Sequence, residues 1–393
     1  MKRVFFVALA VMAFVCGANA QTTKTGVLVI GNGNNAIGAG IQAAVSGVKT
    51  IILLPGPGFE LSPVGKEQNS GIAAEFLKRL KADNFDNSTA NAVLKTWMDS
   101  LKNLTVMRNA SWLKFKRSGR GWVMELKDGK TIKAEILVNA DKSGKAGETL
   151  QMVTAKTAAL WQPFNYENKT CRTSIASGYF TNAGTANILS LYRFLNPLQE
   201  NLVALDPAQE SFAAGQAAGA TAAYASFFKR KTSESNLKAI QGELINYKQS
   251  IVPFKDISPA DSNWKAIQFI GVTGVLKADL SSDGAYFRPD QTVTSEEVKP
   301  VIKEYYYKAQ IWFDDHKESQ MTLASVLDLV CIVGNKSLKT TTEEVKKKWK
   351  TTYHFNSEFD PVRIVTRREF AVLVNEYLKP FDVNIDKTGR VLR

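Results

Sequence analysis

Three small residues near the N-terminus have the spacing of a phosphate-binding turn. Gly31, Gly33 and Ala36 form the pattern G-x-G-x-x-A between an apolar run and an alanine- and glycine-rich stretch. In such a turn the first glycine permits a sharp bend and the second lets a pyrophosphate approach the backbone. The third small residue lets the following helix pack closely. Because N–H groups at the start of that helix can hold phosphates, the pattern predicts binding of a dinucleotide.

The residues around this turn also support a second interpretation. A ribose-binding carboxylate is expected about 20 residues after the turn, at the end of the second strand. Leu54 stands there, and the nearest acid is Glu60. Asn32, Asn34 and Asn35 crowd the turn, and their side chains can fill the phosphate space. Two alternatives therefore stay open: a turn that binds a dinucleotide, and the same fold without one.

The sequence contains no other residues with catalytic spacing. Both histidines, His316 and His354, lie in the C-terminal third, and there is no G-x-S-x-G nucleophile motif. No His or Cys cluster has metal-ligand spacing, so we expect no metal site. Cys171 and Cys331 lie far apart in the sequence. They can form one long-range disulfide in an oxidising compartment or remain two separate buried thiols.

The elements that must position these residues follow from the hydrophobic pattern. Apolar runs at 26–30 and 50–54 are typical of buried strands, and the stretch between them predicts a helix. Residues 75–103 have helical periodicity, 104–138 predict successive strands with glycine turns, and 211–228 predict an alanine-rich helix. The predicted fold class is α/β: a Rossmann-like domain with a β-meander, followed by a mostly helical C-terminal module.

Composition and charge divide the chain into two parts. Its 393 residues are 45% apolar and 22% charged, which predicts a globular protein with room for two domains. Residues 21–252 contain 27 Lys or Arg against 17 Asp or Glu, whereas 253–393 contain 21 against 20. The basic excess is either an ordinary solvated surface or an attraction to an acidic surface, such as lipid headgroups or anionic glycans.

Residues 1–20 have the parts of a secretory signal peptide: two bases, an apolar stretch and Ala-Asn-Ala before Gln21. The alternatives are an anchor helix, for which the apolar run is short, and lipidation at Cys16. No later run is long and apolar enough to predict a membrane span. We therefore expect an exported protein in the periplasm or at the cell surface, without a transmembrane span in the mature chain and without a nucleic-acid partner.

Residues 25–250 resemble the FAD-dependent oxidoreductase family with a glutathione-reductase-like, FAD/NAD(P)-binding-type domain, and we assign this domain to 21–250. Four segments carry the resemblance in the family's order: GVLVIGNGNNAIGAGIQAAVSGVKTIILLPGPG, DGKTIKAEILVNADKSGKAG, NLVALDPAQESFAAGQAAGATAAYASFFKR and LKAIQGELI. The resemblance implies FAD as the cofactor, bound at Gly31, Gly33 and Ala36.

The same resemblance places Gly215, Gln216 and Ala217 in a helix whose N-terminus points toward the flavin. The alternative is that these small residues serve close packing of the helix. The sequence also departs from the family. The ribose acid is missing, Lys145 replaces the family's Gly-Asp aspartate, and the substrate region is compressed into about 151–195. These departures imply a degenerate flavin site that has lost FAD contacts.

The C-terminal module at 251–393 resembles S-layer homology (SLH) repeats. Its first copy, at about 253–305, opens with PFKDISPADSNWKAIQFIGVTGVLKADLSSDGAYFRPDQTVTSEEVKPVI. A weaker copy, at about 320–380, contains FNSEFDPVRIVTRREF. In that family the basic residue after the Thr helps to bind an anionic cell-wall polysaccharide, which implies Thr366 and Arg367 as carbohydrate-binding residues. The alternative is a helical module that only stabilises or connects.

Two functions remain open from the sequence. The first is an exported cell-envelope protein with an FAD-dependent oxidoreductase-like fold but a degenerate flavin site. Such a pseudoenzyme is a non-catalytic scaffold or binding protein whose SLH-like module contacts an envelope glycan or an envelope protein. The second is an active FAD-dependent oxidoreductase that acts on a small or carbohydrate-derived substrate. The missing cofactor contacts favour the first.

Overall fold

The computed structural model describes most of the chain. The described residues are 22–64, 70–81, 85–150, 161–179, 186–195, 199–281, 284–380, 384–386 and 389–392. The predicted signal peptide at 1–20 lies outside them, as do residues 151–160 and 180–185 of the predicted compressed substrate region. Within the described part of the chain, no helix combines the length and apolar character needed to cross a bilayer.

A seven-stranded sheet forms the centre of the N-terminal part. Its strands are β1 (Thr22–Ile30), β2 (Thr50–Leu53), β3 (Leu104–Met107), β4 (Trp112–Ser118), β5 (Gly121–Leu126), β6 (Thr131–Asn139) and β10 (Leu202–Ala204). The strand order is β3-β2-β1-β6-β5-β4, and β10 pairs with β6. The strands β1, β2, β3, β6 and β10 are parallel, whereas β4, β5 and β6 form an antiparallel meander. The predicted α/β class with a β-meander is confirmed.

Two helices cross the sheet in close contact with each other. These are α1 (Asn34–Val45), directly after β1, and α5 (Phe212–Phe227), directly after β10 and its loop. Nearly every residue of both helices is buried, which matches their alanine- and glycine-rich sequences. A Cβ atom at Gly219 would lie only 2.3 Å from the carbonyl oxygen of Ala39. The small residues therefore permit a close helix–helix approach. The other α-helices described in this part are α2 (Gly71–Leu80), α3 (Asn87–Asp99), α4 (Lys145–Thr149) and α6 (Leu237–Asn246).

A small antiparallel sheet connects the two parts of the molecule. Its strands are β7 (Trp161–Pro163), β8 (Ser174–Tyr179) and β9 (Ala186–Ser190), in the order β7-β9-β8. Phe164 and Ile188 belong to the same hydrophobic core as the C-terminal helices. The Tyr166 hydroxyl donates to the carbonyl of Gly271 at 3.0 Å and accepts from the N–H of Ala278 at 2.9 Å. The described part of the predicted substrate region thus packs against the C-terminal module.

The C-terminal part is mostly helical, as predicted. Its helices are α7 (Trp264–Thr273), α8 (Ser295–Tyr305), α9 (Tyr307–Asp315), α10 (Leu323–Val333), α11 (Leu338–Thr351) and α12 (Arg367–Tyr377). Two short hairpins accompany them: β11 (Asp279–Ser281) with β12 (Gly284–Tyr286), and β13 (Asn384–Ile385) with β14 (Val391–Leu392).

Three of these helices begin around one point. The N–H of Met321 donates to the carbonyl of Val293, that of Val293 to Val365, and that of Val365 to Met321, at 2.9–3.1 Å. A threonine follows each of these residues and caps α8, α10 or α12 through its hydroxyl. The result is a closed threefold ring. The sequence predicts two copies of the repeat, at about 253–305 and 320–380. The structure instead has three threonine-capped helix starts in one ring, and the middle one belongs to α10.

Candidate functional site

The glycine turn lies at the carboxyl end of β1, in the strand–turn–helix arrangement that the sequence predicts. Gly31 has φ 143°, and a Cβ atom there would lie 2.2 Å from the carbonyl oxygen of Ala140. Only glycine fits this position without moving the backbone. Gly33 precedes the first turn of α1 and provides no side-chain cap. Ala36 is fully buried in α1. The turn therefore has the geometry that can present helix N–H groups to an anion.

The anion at this turn is the protein's own Glu210. The backbone N–H of Asn35, in the first turn of α1, donates to Oε2 of Glu210 at 2.9 Å. A Cβ atom at Gly33 would lie 2.3 Å from the same oxygen. The space that Gly33 leaves open is thus filled by the Glu210 carboxyl group. This is the position at which a turn of this type would receive a phosphate.

Two asparagine side chains tie neighbouring loops over the turn. The amide of Asn34 donates to the carbonyl of Ser62 at 3.0 Å and accepts from the Ser62 N–H at 3.2 Å. The amide of Asn35 donates to the carbonyl of Gln209 at 3.0 Å and accepts from the N–H of Ser211 at 3.1 Å. Two of the three Asn residues that the sequence predicts to crowd the phosphate space, Asn34 and Asn35, therefore bind the loops that border it.

The surroundings shift the pKa values of the two carboxyl groups at this site in opposite directions. Lys142 forms a 2.6 Å ion pair with Glu60, and its hydrogen bond lowers the pKa of the Glu60 carboxyl. Burial raises the pKa of Glu210 despite the N–H group that donates to it. Oε1 of Glu210 is buried and has no hydrogen-bond partner among the described residues. A carboxyl group in this environment retains its proton to a higher pH than an exposed one.

The position that should bind the ribose of a dinucleotide carries an apolar side chain. Leu54 is fully buried, and its backbone bonds to Met107 and Ala110. The Asp141 carboxylate accepts from the N–H of Ala146 at 2.9 Å and from the Ser143 hydroxyl, so it is used in capping the turn before α4. The site lacks a ribose acid at Leu54 and holds Glu210 in its phosphate space. As they stand, these residues do not fit FAD.

Gly215, Gln216 and Ala217 lie inside the contact between α5 and α1. A Cβ atom at Gly215 would lie 2.2 Å from the carbonyl oxygen of Asn35. The fully buried Gln216 accepts from the N–H of Ile72 at 2.8 Å and donates to Oε1 of Gln42 at 2.8 Å. Ala217 is also fully buried. The packing role considered for this segment is therefore visible in the structure, and its contact with a flavin stays a prediction.

Thr366 and Arg367 lie at the start of α12. The Thr366 hydroxyl accepts from the N–H of Glu369, and the Thr366 N–H donates to Oε2 of Glu369, which completes a capping box. Arg367 is 5% exposed, and it donates to the carbonyls of Phe287 at 2.7 Å and Lys277 at 2.6 Å. It also pairs with Glu297. Its hydrogen-bonding groups thus bind within the module, and carbohydrate binding by these two residues stays a prediction.

The remaining candidates do not come together in the described residues. Cys171 and Cys331 are both free and buried, which matches the alternative of two separate thiols. Burial raises the pKa of both thiols and so lowers their reactivity. His316 stacks on Trp312 with ring centroids 4.1 Å apart. The described part of the chain contains no group of His, Cys, Asp and Glu side chains that could hold a metal ion.

Glu210 is the residue of this site that the sequence did not single out. It stands directly before Ser211, whose hydroxyl caps α5 by accepting from the N–H of Ala214 at 3.3 Å. An acid at this point is typical of a helix N-terminus. That signal predicts a local role at α5, whereas Glu210 reaches the N-terminus of α1, 175 positions earlier in the chain.

Comparisons with solved structures find oxidoreductases over about a third of the chain. A bacillithiol disulfide reductase from Staphylococcus aureus is 16% identical, over 30% of this chain and 38% of that chain, with a TM-score of 0.24. A flavin monooxygenase from Stenotrophomonas maltophilia is 18% identical, over 30% and 38%, with a TM-score of 0.22. An amino acid oxidase of nikkomycin biosynthesis is 10% identical, over 36% and 56%, with a TM-score of 0.28.

This chain spans 38%, 38% and 56% of the length of these three structures. No protein-family model and no curated protein matches it. The similarity is limited to part of the chain, and TM-scores this low carry no conclusion on its fold or activity. Function must therefore be argued from the site itself.

Proposed function

We propose that this protein is an exported cell-envelope protein in which an oxidoreductase-like domain serves as a non-catalytic scaffold. The observation that carries the proposal is the Glu210 carboxyl group in the phosphate space of the glycine turn, bonded to the N–H of Asn35 at 2.9 Å. A bound diphosphate would have to displace this group and break the Asn34 and Asn35 bonds to the bordering loops. The protein thus supplies internally the anion that such a turn normally takes from a cofactor.

Electrostatic repulsion also disfavours a diphosphate at the glycine turn. A diphosphate beside Glu210 would place like charges together, since the carboxylate occupies the same helix N-terminus. Burial raises the pKa of Glu210 and the charge of Lys142 acts on it in the lowering direction, but Lys142 is already paired with Glu60 at 2.6 Å. At the ribose position, Leu54 would leave the sugar hydroxyls unpaired at a cost of about 1–3 kcal/mol. Together these terms disfavour FAD in the chain as it stands.

The C-terminal module supplies the binding role in this proposal. Its resemblance to SLH repeats is joined by three helix starts around a closed hydrogen-bonded ring, at Val293, Met321 and Val365. The three ring residues are buried, so the ring fixes the positions of the helix starts, and the side chains around them are left to contact an envelope glycan or an envelope protein. Since Arg367 is buried, we place the docking contacts on the exposed faces of the module and not on its guanidinium group.

The visible absorption spectrum of the purified protein tests this proposal. We expect no flavin band in the protein as isolated, and none after incubation with excess FAD followed by desalting. Glu210→Ala removes the internal carboxyl group and is expected to gain measurable affinity for FAD or ADP relative to the wild type. A flavin band retained by the wild type would contradict the proposal and favour the active FAD-dependent oxidoreductase instead.

The titration of Glu210 gives a second test, which does not require a ligand. Burial raises its folded-state pKa above 4.5, so folding favours the protonated form. As pH rises through that raised pKa, deprotonation destabilises the folded state. Glu210→Gln cannot titrate, so its stability relative to the wild type should increase from below pH 4.5 to neutrality. Denaturant unfolding of the wild type and Glu210→Gln across this pH range measures the difference in their free energies of unfolding. A difference that does not change with pH would contradict the raised pKa of Glu210.

A further inference from the structure

The C-terminal end of α5 carries an exposed aromatic pair followed directly by bases. Phe227 and Phe228 are 63% and 56% exposed, and their rings lie 5.1 Å apart. Lys229, Arg230 and Lys231 follow them, and all three are exposed. We call residues 227–231 the aromatic–basic tip. The combination of two neighbouring exposed aromatic side chains with three consecutive bases makes this tip a candidate interaction site.

A cavity of about 350 Å³ whose lining includes several basic residues lies on one side of the tip. The described residues that line it include five cations and one carboxylate: Lys24, Arg120, Lys133, Lys229, Arg230 and Glu135. The carboxylate is paired with Lys229 at 2.5 Å and accepts from the Ser226 hydroxyl at 2.7 Å. Four cations therefore face the cavity in excess of its acidic charge.

Two of these cations lie side by side. Lys24 of β1 and Lys133 of β6 occupy paired positions on adjacent parallel strands. Like charges at paired positions repel each other, and an anion between them would relieve the repulsion. The residues of β1 that line the cavity, Lys24 and Thr25, lie near the amino end of that strand, whereas the glycine turn lies at its carboxyl end. It is therefore separate from the site at Glu210.

An apolar cavity of about 290 Å³ lies on the other side of the tip. Its lining is mainly apolar and includes Ala220, Ala223, Tyr224, Phe227, Phe228 and Ile240. Its two polar lining residues bond to each other, since the Ser46 hydroxyl donates to Oε1 of Glu243 at 2.6 Å. The ring of Tyr224 packs on Phe228 at 4.8 Å between centroids. The tip thus separates a basic cavity from an apolar one.

We propose that this surface docks the protein on an anionic lipid membrane. Exposed aromatic side chains partition into the interfacial region of a bilayer, and clustered bases bind anionic lipid surfaces. In this arrangement Phe227 and Phe228 enter the interface, lipid headgroup phosphates occupy the basic cavity, and the apolar cavity accepts part of an acyl chain. Charge complementarity and the adjoining apolar side chains favour a lipid surface over a purely polar polyanion. The inference does not depend on whether the glycine turn binds FAD.

Sedimentation of the wild-type chain with vesicles tests the proposal. Vesicles of phosphatidylcholine alone are compared with vesicles that also contain phosphatidylglycerol. We expect binding to the anionic vesicles only, and we expect it to weaken as salt is added because salt screens exposed charges. This comparison requires no variant, so it stands even if a substitution prevents folding. Equal binding to both vesicles, or no binding, would overturn the proposal.

Two double variants locate the contact. Phe227→Ser with Phe228→Ser should weaken vesicle binding about tenfold or more through lost apolar contact. Lys24→Gln with Lys133→Gln should weaken it about tenfold through lost charge. The matched controls are Tyr307→Ser with Ile311→Ser on the exposed face of α9, and Lys346→Gln with Lys347→Gln on α11. Equal losses in the test and control variants would overturn the assignment to the tip.

Two further measurements distinguish a membrane from an acidic glycan and from a second copy of this chain. Inorganic phosphate and polygalacturonate supply anions without a bilayer. Polygalacturonate binding that exceeds vesicle binding and is unaffected by the two Phe substitutions would overturn the lipid assignment in favour of an acidic glycan. A dimer that becomes monomeric in the Phe variant, with vesicle binding unchanged, would assign the tip to a second copy instead. Sedimentation velocity and vesicle binding of the same samples give both readings.

Discussion

Gly215→Ala should destabilise the protein by about 3 kcal/mol, the upper end of the usual range for inserting one methyl group into a packed core. The added Cβ would lie 2.2 Å from the carbonyl oxygen of Asn35, which belongs to the backbone of α1 and cannot rotate away. Relief requires α1 and α5 to separate along their buried contact. Denaturant unfolding followed by circular dichroism measures the loss.

A second glycine provides the matched control for this substitution. Gly242 lies in α6, and a Cβ atom there would lie 3.5 Å from Cζ of Phe269, an ordinary van der Waals distance. Gly242→Ala should therefore raise the free energy of unfolding by about 0.5–1 kcal/mol through helix propensity alone. If both variants lose stability equally, the close approach of α1 and α5 does not determine the role of Gly215.

The predicted effect at Gly215 also bears on the candidate cofactor site. Asn35, whose carbonyl faces Gly215, donates its backbone N–H to Glu210 and binds Gln209 and Ser211 through its side chain. Moving α1 away from α5 would therefore pull the glycine turn away from the carboxyl group that fills it. In this fold, the packing of two helices and the closure of the phosphate space depend on the same residue.

The fold was predictable from the sequence wherever local pattern decides structure. The apolar runs that become β1 and β2, the strands of the meander and the alanine-rich α5 all follow from periodicity and glycine turns. The middle pair of C-terminal helices was harder to recognise as a repeat. The second helix of this pair, α10, is capped by Thr322 in the same ring as α8 and α12. The Phe-Arg-Pro-Asp type of loop that marks the first copy is absent before it.

The candidate site was predictable only in part, because its decisive contact is not local. The glycine turn and the crowding by Asn34 and Asn35 are visible in six consecutive residues. The role of Glu210 requires knowing that the loop after β10 returns to the carboxyl end of β1, where β1 and β10 are both neighbours of β6. Sequence spacing carries no information on that return, so an acid before α5 could not be assigned to a turn 175 positions away.

Arg367 presents the same problem in the C-terminal module. A resemblance based on sequence places a basic residue at the start of α12, but it does not specify which way the side chain points. The hairpin that ends near Phe287, 80 positions earlier, supplies the carbonyl that accepts from Nε of Arg367. The guanidinium carbon also lies 5.0 Å from the centre of the Phe287 ring. Burial lowers the pKa of Arg367, consistent with a charge removed from water.

Arg367→Met should therefore cost about 3 kcal/mol of stability, because it leaves Glu297 and two carbonyl groups without their donor. Arg367→Lys should recover part of this loss, since an ammonium group keeps the charge but not the planar set of donors. The exposed pair of Lys350 and Glu358 is the control, and Lys350→Ala should change stability by less than about 0.5 kcal/mol.

A double-mutant cycle separates a structural role of Arg367 from a direct role in glycan binding. If the buried pair is the main contact, Arg367→Met combined with Glu297→Gln should be less destabilised than the sum of the two single variants. Thermal unfolding and binding to isolated cell envelopes are measured on the same four proteins. Full stability of Arg367→Met together with lost envelope binding would contradict the structural role, because a side chain that only contacts a glycan contributes nothing to the unliganded fold.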